Sequence, residues 1–298
     1  MRCNCPRLRI CLVLIAVTAI SVVLDAKQHV YGDEDIKITP DVVYGHKHGL
    51  ALTFDVFCPQ KNPNGAGVLF MVSGGWHSRW QPPETMLGFT KALCQKGFTV
   101  FAVRHGSSPK FVIPEIAADV RRSVRFIRLN SKRFGVDPQR LGVYGYSAGG
   151  HLSLLLGTTS DKGNSKEKDP VLRQSNRVAA VVAICPPTDL RPFVNPESWY
   201  YDKFPALQFD SDKAAEFSPV ANVSKDDPPT LLIHGDQDKL VKIDHSQTIL
   251  KLFQQEGVTS ELVTIEGAGH GFQGKDQQRA TQEMVAWFEK FLKKRGKD

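Results

Sequence analysis

The sequence predicts an α/β protein, with a mainly parallel central sheet opened by an antiparallel pair and helices on both faces. Three observations carry that reading. Six short runs are almost continuously apolar, as strands buried on both faces require. Amphipathic patterns separate most of them, and strand–helix alternation marks parallel pairing through crossovers. The balance of 41% hydrophobic and 23% charged residues over 298 positions is ordinary for a soluble globular chain and excludes a fibre or a disordered tail.

The elements follow in order. Arg2, Arg7 and Arg9 precede an apolar run from Ile10 to Leu24, and Ala26 offers a small residue for cleavage. This is the layout of a secretory signal peptide over residues 1–26, so the mature chain is expected to be one domain, 27–298, secreted or periplasmic. A run of about fifteen residues is shorter than the roughly twenty of a membrane span, so no stable span is expected after cleavage. Removing the leader's three arginines and one aspartate lowers the formal charge from +7 to +5. So mild an excess gives no reason to expect a nucleic-acid partner.

An antiparallel hairpin comes first, VVYG and LALTFDVF joined at His46-Lys47-His48-Gly49, where the two histidines read as turn residues rather than ligands. The apolar runs are GVLFMVS (67–73), FTVFAV (98–103), RLGVYGY (140–146), VAAVVAI (178–184), PTLLIHG (229–235) and SELVTI (260–265). Helical patterns cover 115–134, 151–157, 245–257 and 279–294. Between the strands at 178–184 and 229–235 lies a small cap-like insertion, from Thr188 to about Ser218. The mature chain keeps Cys58, Cys94 and Cys185, an odd number that allows at most one internal disulfide; Cys94, in a helical pattern, and Cys185, ending an apolar strand, read as small buried hydrophobes. No metal spacing occurs, and neither metal nor cofactor is expected.

Chemistry concentrates at the strand ends. Gly145-Tyr146-Ser147-Ala148-Gly149 has the G-x-S-x-G form, a serine on a sharp strand-to-helix turn. Chance alone produces that pattern in roughly one chain in ten of this length. Its weight comes from the strand before it and the helical pattern after it. A serine hydroxyl needs a base, and the base needs an orienting group; with such a turn the chain order is Ser, acid, His. After PTLLI come Asp236 and Asp238. Asp238 is preferred because it lies past the tight turn, whereas Asp236 is well placed to bond the turn's own backbone; His234 is given a structural part. Only His245 and His270 follow Asp238. His245 opens a helical pattern and reads as exposed or capping, so His270, in EGAGHGF, is the candidate base. A histidine base must be neutral, so activity should fall on acidification. Oxyanion donors are expected from Ala148 and from Gly74 and Gly75 after the strand at 67–73.

These residues resemble a known group: secreted α/β-hydrolase esterases related to hormone-sensitive lipase and to the feruloyl-esterase-like (BD-FAE-like) family, with kynurenine formamidases nearby. The resemblance covers about residues 40–292. It rests on SGGW, Arg104 followed by Pro114 and DVRRSVRFIR, GVDPQRLGVYGYSAGGHL, SPVANV, PPTLLIHGDQDKLV and GAGHGF. It implies the α/β-hydrolase fold, Ser147 as nucleophile, Asp238 as acid, His270 as base, and Gly74, Gly75 and Ala148 as oxyanion donors. The family usually writes H-G-G-G-W after the third strand; here Val72 and Ser73 stand for the histidine and first glycine. An intact hole with altered support is therefore expected.

The expected substrate is a small or polysaccharide-linked ester of a short or aromatic acyl group, acetyl or feruloyl. Trp76, Trp199 and Tyr200 are expected to wall the cleft. Because a triad does not choose between ester and amide, a formamidase-like small-amide hydrolase or a serine peptidase is the alternative. A non-catalytic binding module is opposed by the presence of all three triad residues.

Overall fold

The computed structural model describes residues 35–293; the expected leader, 1–26, and Lys294 of the last expected helix lie outside them. Strand β1 (Ile36–Lys47) and β2 (Leu50–Pro59) form the opening hairpin, turned through His48 and Gly49 with positive φ at both. Then come β3 (Gly67–Met71), α1 (Leu87–Cys94), β4 (Thr99–Val103), α2 (Ile113–Leu129), α3 (Ser131–Phe134), β5 (Leu141–Tyr146) and α4 (Ala148–Thr158). The chain continues through β6 (Ala180–Ile184), α5 (Trp199–Lys203), β7 (Thr230–Gly235), α6 (Asp244–Gln255), β8 (Ser260–Ile265) and α7 (Gly274–Leu292).

The strands make one eight-stranded sheet in the order β1-β2-β4-β3-β5-β6-β7-β8. Pairing is antiparallel at β1–β2 and β2–β4 and parallel everywhere else. Period-two alternation divides the strand side chains between two cores. Leu69, Phe101 and Val143 face one that also holds Ile116, Val120 and Leu152 of α2 and α4. Phe70, Ala102 and Tyr144 face the other, with Leu93 of α1 and Phe288 of α7. The side chain of Arg104, at the end of β4, is clamped to Asp55 of β2 at 2.6 and 2.8 Å and to Asp41 of β1 at 2.7 Å, which ties the antiparallel strands to the parallel ones.

Four expectations need correction. The helical pattern over 115–134 is interrupted at Asn130, whose non-helical backbone ends α2 before α3 begins. The helix after β5 starts at Ala148 rather than His151, because Gly149 and Gly150 are themselves helical and press against the sheet. The run at 260–265 is not buried on both faces: β8 is an edge strand and only Ile265 is fully buried. His245 lies inside α6, half-buried, with its Nδ1 accepting from the Thr188 amide at 3.2 Å. Among the described residues Cys58, Cys94 and Cys185 are all free thiols, the last two buried, and no helix is long and apolar enough to cross a membrane.

Candidate active site

The segments that carry chemistry leave β3, β5, β7 and β8 at their carboxyl ends, so one edge of the sheet collects them. Between β5 and α4 the chain reverses at Ser147, with φ 52° and ψ −118°. A non-glycine residue there costs about 1–3 kcal/mol and persists only where its surroundings enforce it. The enforcement is close packing. A Cβ on Gly145 would lie 2.4 Å from the Gly149 backbone, and one on Gly149 would lie 2.6 Å from Met71 O. The Ser147 amide donates to Ile184 O of β6 at 2.7 Å, which holds the hydroxyl out at the top of the sheet.

His270, on the loop between β8 and α7, reaches that hydroxyl. Its Nε2 lies 2.9 Å from Ser147 Oγ, and its Nδ1 lies 2.7 Å from Asp238 Oδ2. With Asp238 ionised, Nδ1 must carry the proton, and Nε2 is left with a lone pair toward the serine. Asp238 is buried, and its Oδ1 accepts from the Leu240 and Val241 amides, each at 2.9 Å. Burial pushes its carboxyl up, but hydrogen bonds from His234, His270 and Val241 outweigh it and hold the group well below the usual carboxylate range.

The reasoning that separated the two aspartates is reversed. Asp238 bonds its own turn, while Asp236 Oδ1 accepts from the Gly267 amide at 2.7 Å, bracing the loop that bears His270. His234 sits beneath both, with Nε2 3.3 Å from Asp238 Oδ2 and 2.8 Å from Val241 O, and Nδ1 2.7 Å from Ser246 Oγ. Cys185, His234 and Asp238 converge within 4.8 Å, the spacing of a metal site. Their chemistry does not suit one: both His234 nitrogens and both Asp238 oxygens are engaged, and burial pushes the Cys185 thiol up to about 12, which keeps it protonated.

The loop after β3 supplies amides. Of the two glycines expected to donate, Gly74 is a correction: its N–H donates to His77 O at 3.1 Å and is not free. Gly75 has φ +55°, and its amide has no acceptor among the described residues. Ala148, first in α4, likewise keeps an unpaired N–H, while Gly149 and His151 donate to Ser73 O at 3.2 Å and Ser147 O at 2.9 Å. Gly75, Ala148 and Ser147 line one pocket.

Two buried histidines support this loop, and neither was singled out from sequence. His105, after β4, accepts at Nε2 from Ser73 Oγ (2.9 Å) when Nδ1–H donates to Gly106 O (2.8 Å). Ser73 is thus tied to the segment that follows β4. His151 accepts at Nδ1 from the Trp76 indole N–H (3.2 Å) and donates from Nε2 to Phe217 O (2.8 Å), joining the loop, α4 and the segment between β6 and β7. Burial lowers both imidazoles to about 4, so both are neutral.

The pocket at Ser147 is walled by Trp76, Phe193, Tyr200, Phe204, Leu240 and Val241, among others. Its cavity volume is about 20 Å³, little more than one water-sized group needs. Tyr200 is pinned by its hydroxyl on Leu240 O at 2.8 Å and by stacking on Phe193 at 4.2 Å between centroids. Trp199 does not line it: that ring is 59% exposed and meets Tyr200 and Phe204 only edge-on from outside. Leu240 and Val241 were not foreseen; they arrive on the turn whose amides hold Asp238.

A model of the BD-FAE family matches residues 54–253. Esterase LipC of Mycobacterium tuberculosis is 27% identical over 233 residues, covering 75% of this chain and 58% of that protein. Isoprenylcysteine alpha-carbonyl methylesterase ICME of Arabidopsis thaliana is 25% identical over 250 residues, covering 78% and 56%. The chain thus spans a little over half the length of these curated relatives. Among solved structures, a truncated carbohydrate esterase from gut microbiota superposes with a TM-score of 0.72 at 24% identity, over 87% of this chain and 98% of that one. An acetyl ester-xyloside bifunctional hydrolase from Caldicellulosiruptor lactoaceticus also gives 0.72 at 24% identity, over 84% and 95%. The shared architecture is the α/β-hydrolase fold.

Proposed function

The chain belongs to the BD-FAE family, and we propose that it hydrolyses carboxylic esters of short acyl groups through an acyl-enzyme on Ser147. The observation that carries the reading is the continuous path from Ser147 Oγ to His270 (2.9 Å) to Asp238 (2.7 Å), with two amides unpaired among the described residues lining the pocket at Ser147. Ser147 Oγ attacks the ester carbon while its proton passes to His270 Nε2, and the carbonyl oxygen becomes an anion facing the Gly75 and Ala148 N–H groups. His270 then returns the proton to the alcohol oxygen as that C–O bond breaks. Water repeats the sequence on the acyl-enzyme and frees the acid. Asp238, ionised throughout, fixes the tautomer of His270 and stabilises its cation.

The narrow pocket supports the short end of the expected range, acetyl rather than feruloyl. The named activities of the carbohydrate esterase and the acetyl ester-xyloside hydrolase support an acetyl group carried on a saccharide. The charged and apolar halves of residues 1–26 support export of a single catalytic domain, which would meet such a substrate outside the cytoplasm.

Fluorophosphonate labelling with a 4-nitrophenyl ester series tests the proposal. The protein should take up the probe, and Ser147→Ala should lose it with the fold intact by circular dichroism. Turnover should be highest on the acetate. Faster cleavage of palmitate would refute the acyl assignment, and retention of roughly a tenth of the parent rate by Ser147→Ala would refute the nucleophile.

A further inference from the structure

Gly75 stands between two clefts. A Cβ built on it would lie 3.0 Å from the ring of Phe204, which lines the narrow pocket, and 3.8 Å from Cδ2 of His77. His77 belongs to an open cleft of about 420 Å³, whose lining includes Gly74, Arg79, Gln81, Phe89 and Tyr146. The residue proposed to hold the oxyanion is therefore close to residues of both clefts.

A tetrahedral centre on Ser147 must send its acyl chain one way and its alcohol another, and the alcohol oxygen must lie where His270 can protonate it. Tyr146, the residue before Ser147, lines the open cleft, and its hydroxyl accepts from Gln277 Nε2 at 2.9 Å. The narrow pocket is left for the acyl group. The open cleft has an aromatic floor, Phe89 stacking on Phe70 at 5.1 Å and meeting Tyr146 edge-on at 5.8 Å, a surface suited to a flat ring. Its charge is one-sided. No carboxylate among the described residues lines it. Arg79 at its rim is exposed and has no hydrogen-bond or ion-pair partner among the described residues.

Resting on the ester-hydrolase reading above, we propose that this cleft binds the alcohol half of the ester and that Arg79 favours an alcohol bearing a carboxylate, as on an acidic sugar. The guanidinium meets such a group in a bidentate manner that neither an amide nor a neutral ring reproduces.

The test compares 4-acetoxybenzoate with 4-acetoxybenzamide, two acetate esters of the same shape that differ in charge, using the ratio of their kcat/KM values so that intrinsic reactivity cancels between variants. Arg79→Gln should lower the carboxylate-to-amide ratio on the order of fivefold, through KM, because an exposed charge pair has that strength. Arg79→Lys should recover part of it, and raising the salt concentration should erode it in the parent protein. A ratio that is the same in the parent and in Arg79→Gln would overturn the proposal. Hydrolysis of 4-nitrophenyl acetate that Ser147→Ala abolishes marks the ester-hydrolase reading as standing in that event; absence of that hydrolysis would overturn both together.

Discussion

Alanine placed at Gly75 and, separately, at Gly74 separates the amide that faces the reaction from the amide that closes a turn. At Gly75 the backbone is left-handed, φ +55°, where an L side chain costs about 1–2 kcal/mol. The added Cβ would also sit 3.0 Å from two carbons of Phe204, so either that ring retreats into the narrow pocket or the loop rotates. Rotation takes the N–H away from the oxyanion, and losing one such donor lowers kcat by about a hundred- to a thousandfold. Gly75→Ala is therefore expected to lose about a hundredfold in kcat on 4-nitrophenyl acetate with KM within about threefold, since the hole acts on the transition state. Gly74 has open space where its Cβ would go, and its bond to His77 O survives substitution. Gly74→Ala should stay within about threefold of the parent in kcat, because no oxyanion donor is lost. Steady-state kinetics with thermal melts of both variants decide the matter. Equal damage at the two positions, or greater damage at Gly74, would refute the assignment of the donor.

Ser73→Ala leaves the buried Nε2 of His105 without its donor, which should cost about 1–3 kcal/mol of stability and lower kcat as the loop loosens. Combined with His105→Phe, the losses should be less than additive by about 1 kcal/mol in a double-mutant cycle, and strict additivity would show that the two side chains do not act as a pair. The neutral histidines make a second prediction. His105 and His151 titrate near 4 in the folded protein because burial disfavours their cations, against about 6.5 when unfolded. Between those values the unfolded chain binds protons that the native state refuses, so stability is complete above about pH 6.5 and declines as pH falls toward 4, by up to about 3 kcal/mol for each group. Urea unfolding across that range should show the slope, and His151→Gln should make it shallower; a flat profile would contradict the burial of neutral imidazoles.

The central strands, the antiparallel opening and the sharp turn at Ser147 were legible because each leaves a local trace: a period of two or 3.6, or glycines around a strained serine. What escaped was relational. Asp236 and Asp238 occupy the same turn, and which one braces a distant loop depends on where the chain returns thirty residues later. Gly74 and Gly75 look alike until one amide closes on His77. Trp199 and Tyr200 are adjacent aromatics, yet helical geometry turns one ring into the pocket and leaves the other in water. His105 and His151 read as incidental because their partners, Ser73 and Trp76, lie far away in sequence.

By itself the sequence determined which central strands would be buried, though not that β8 is an edge, and at whose ends chemistry would gather, since burial pattern and backbone strain are properties of short stretches. Only the tertiary structure decided which amide stays unpaired among the described residues, how small the pocket beside Ser147 is, and that an exposed guanidinium stands at the mouth of the neighbouring cleft. Those are differences between close alternatives, and they follow from contacts between segments that meet only when the sheet has assembled.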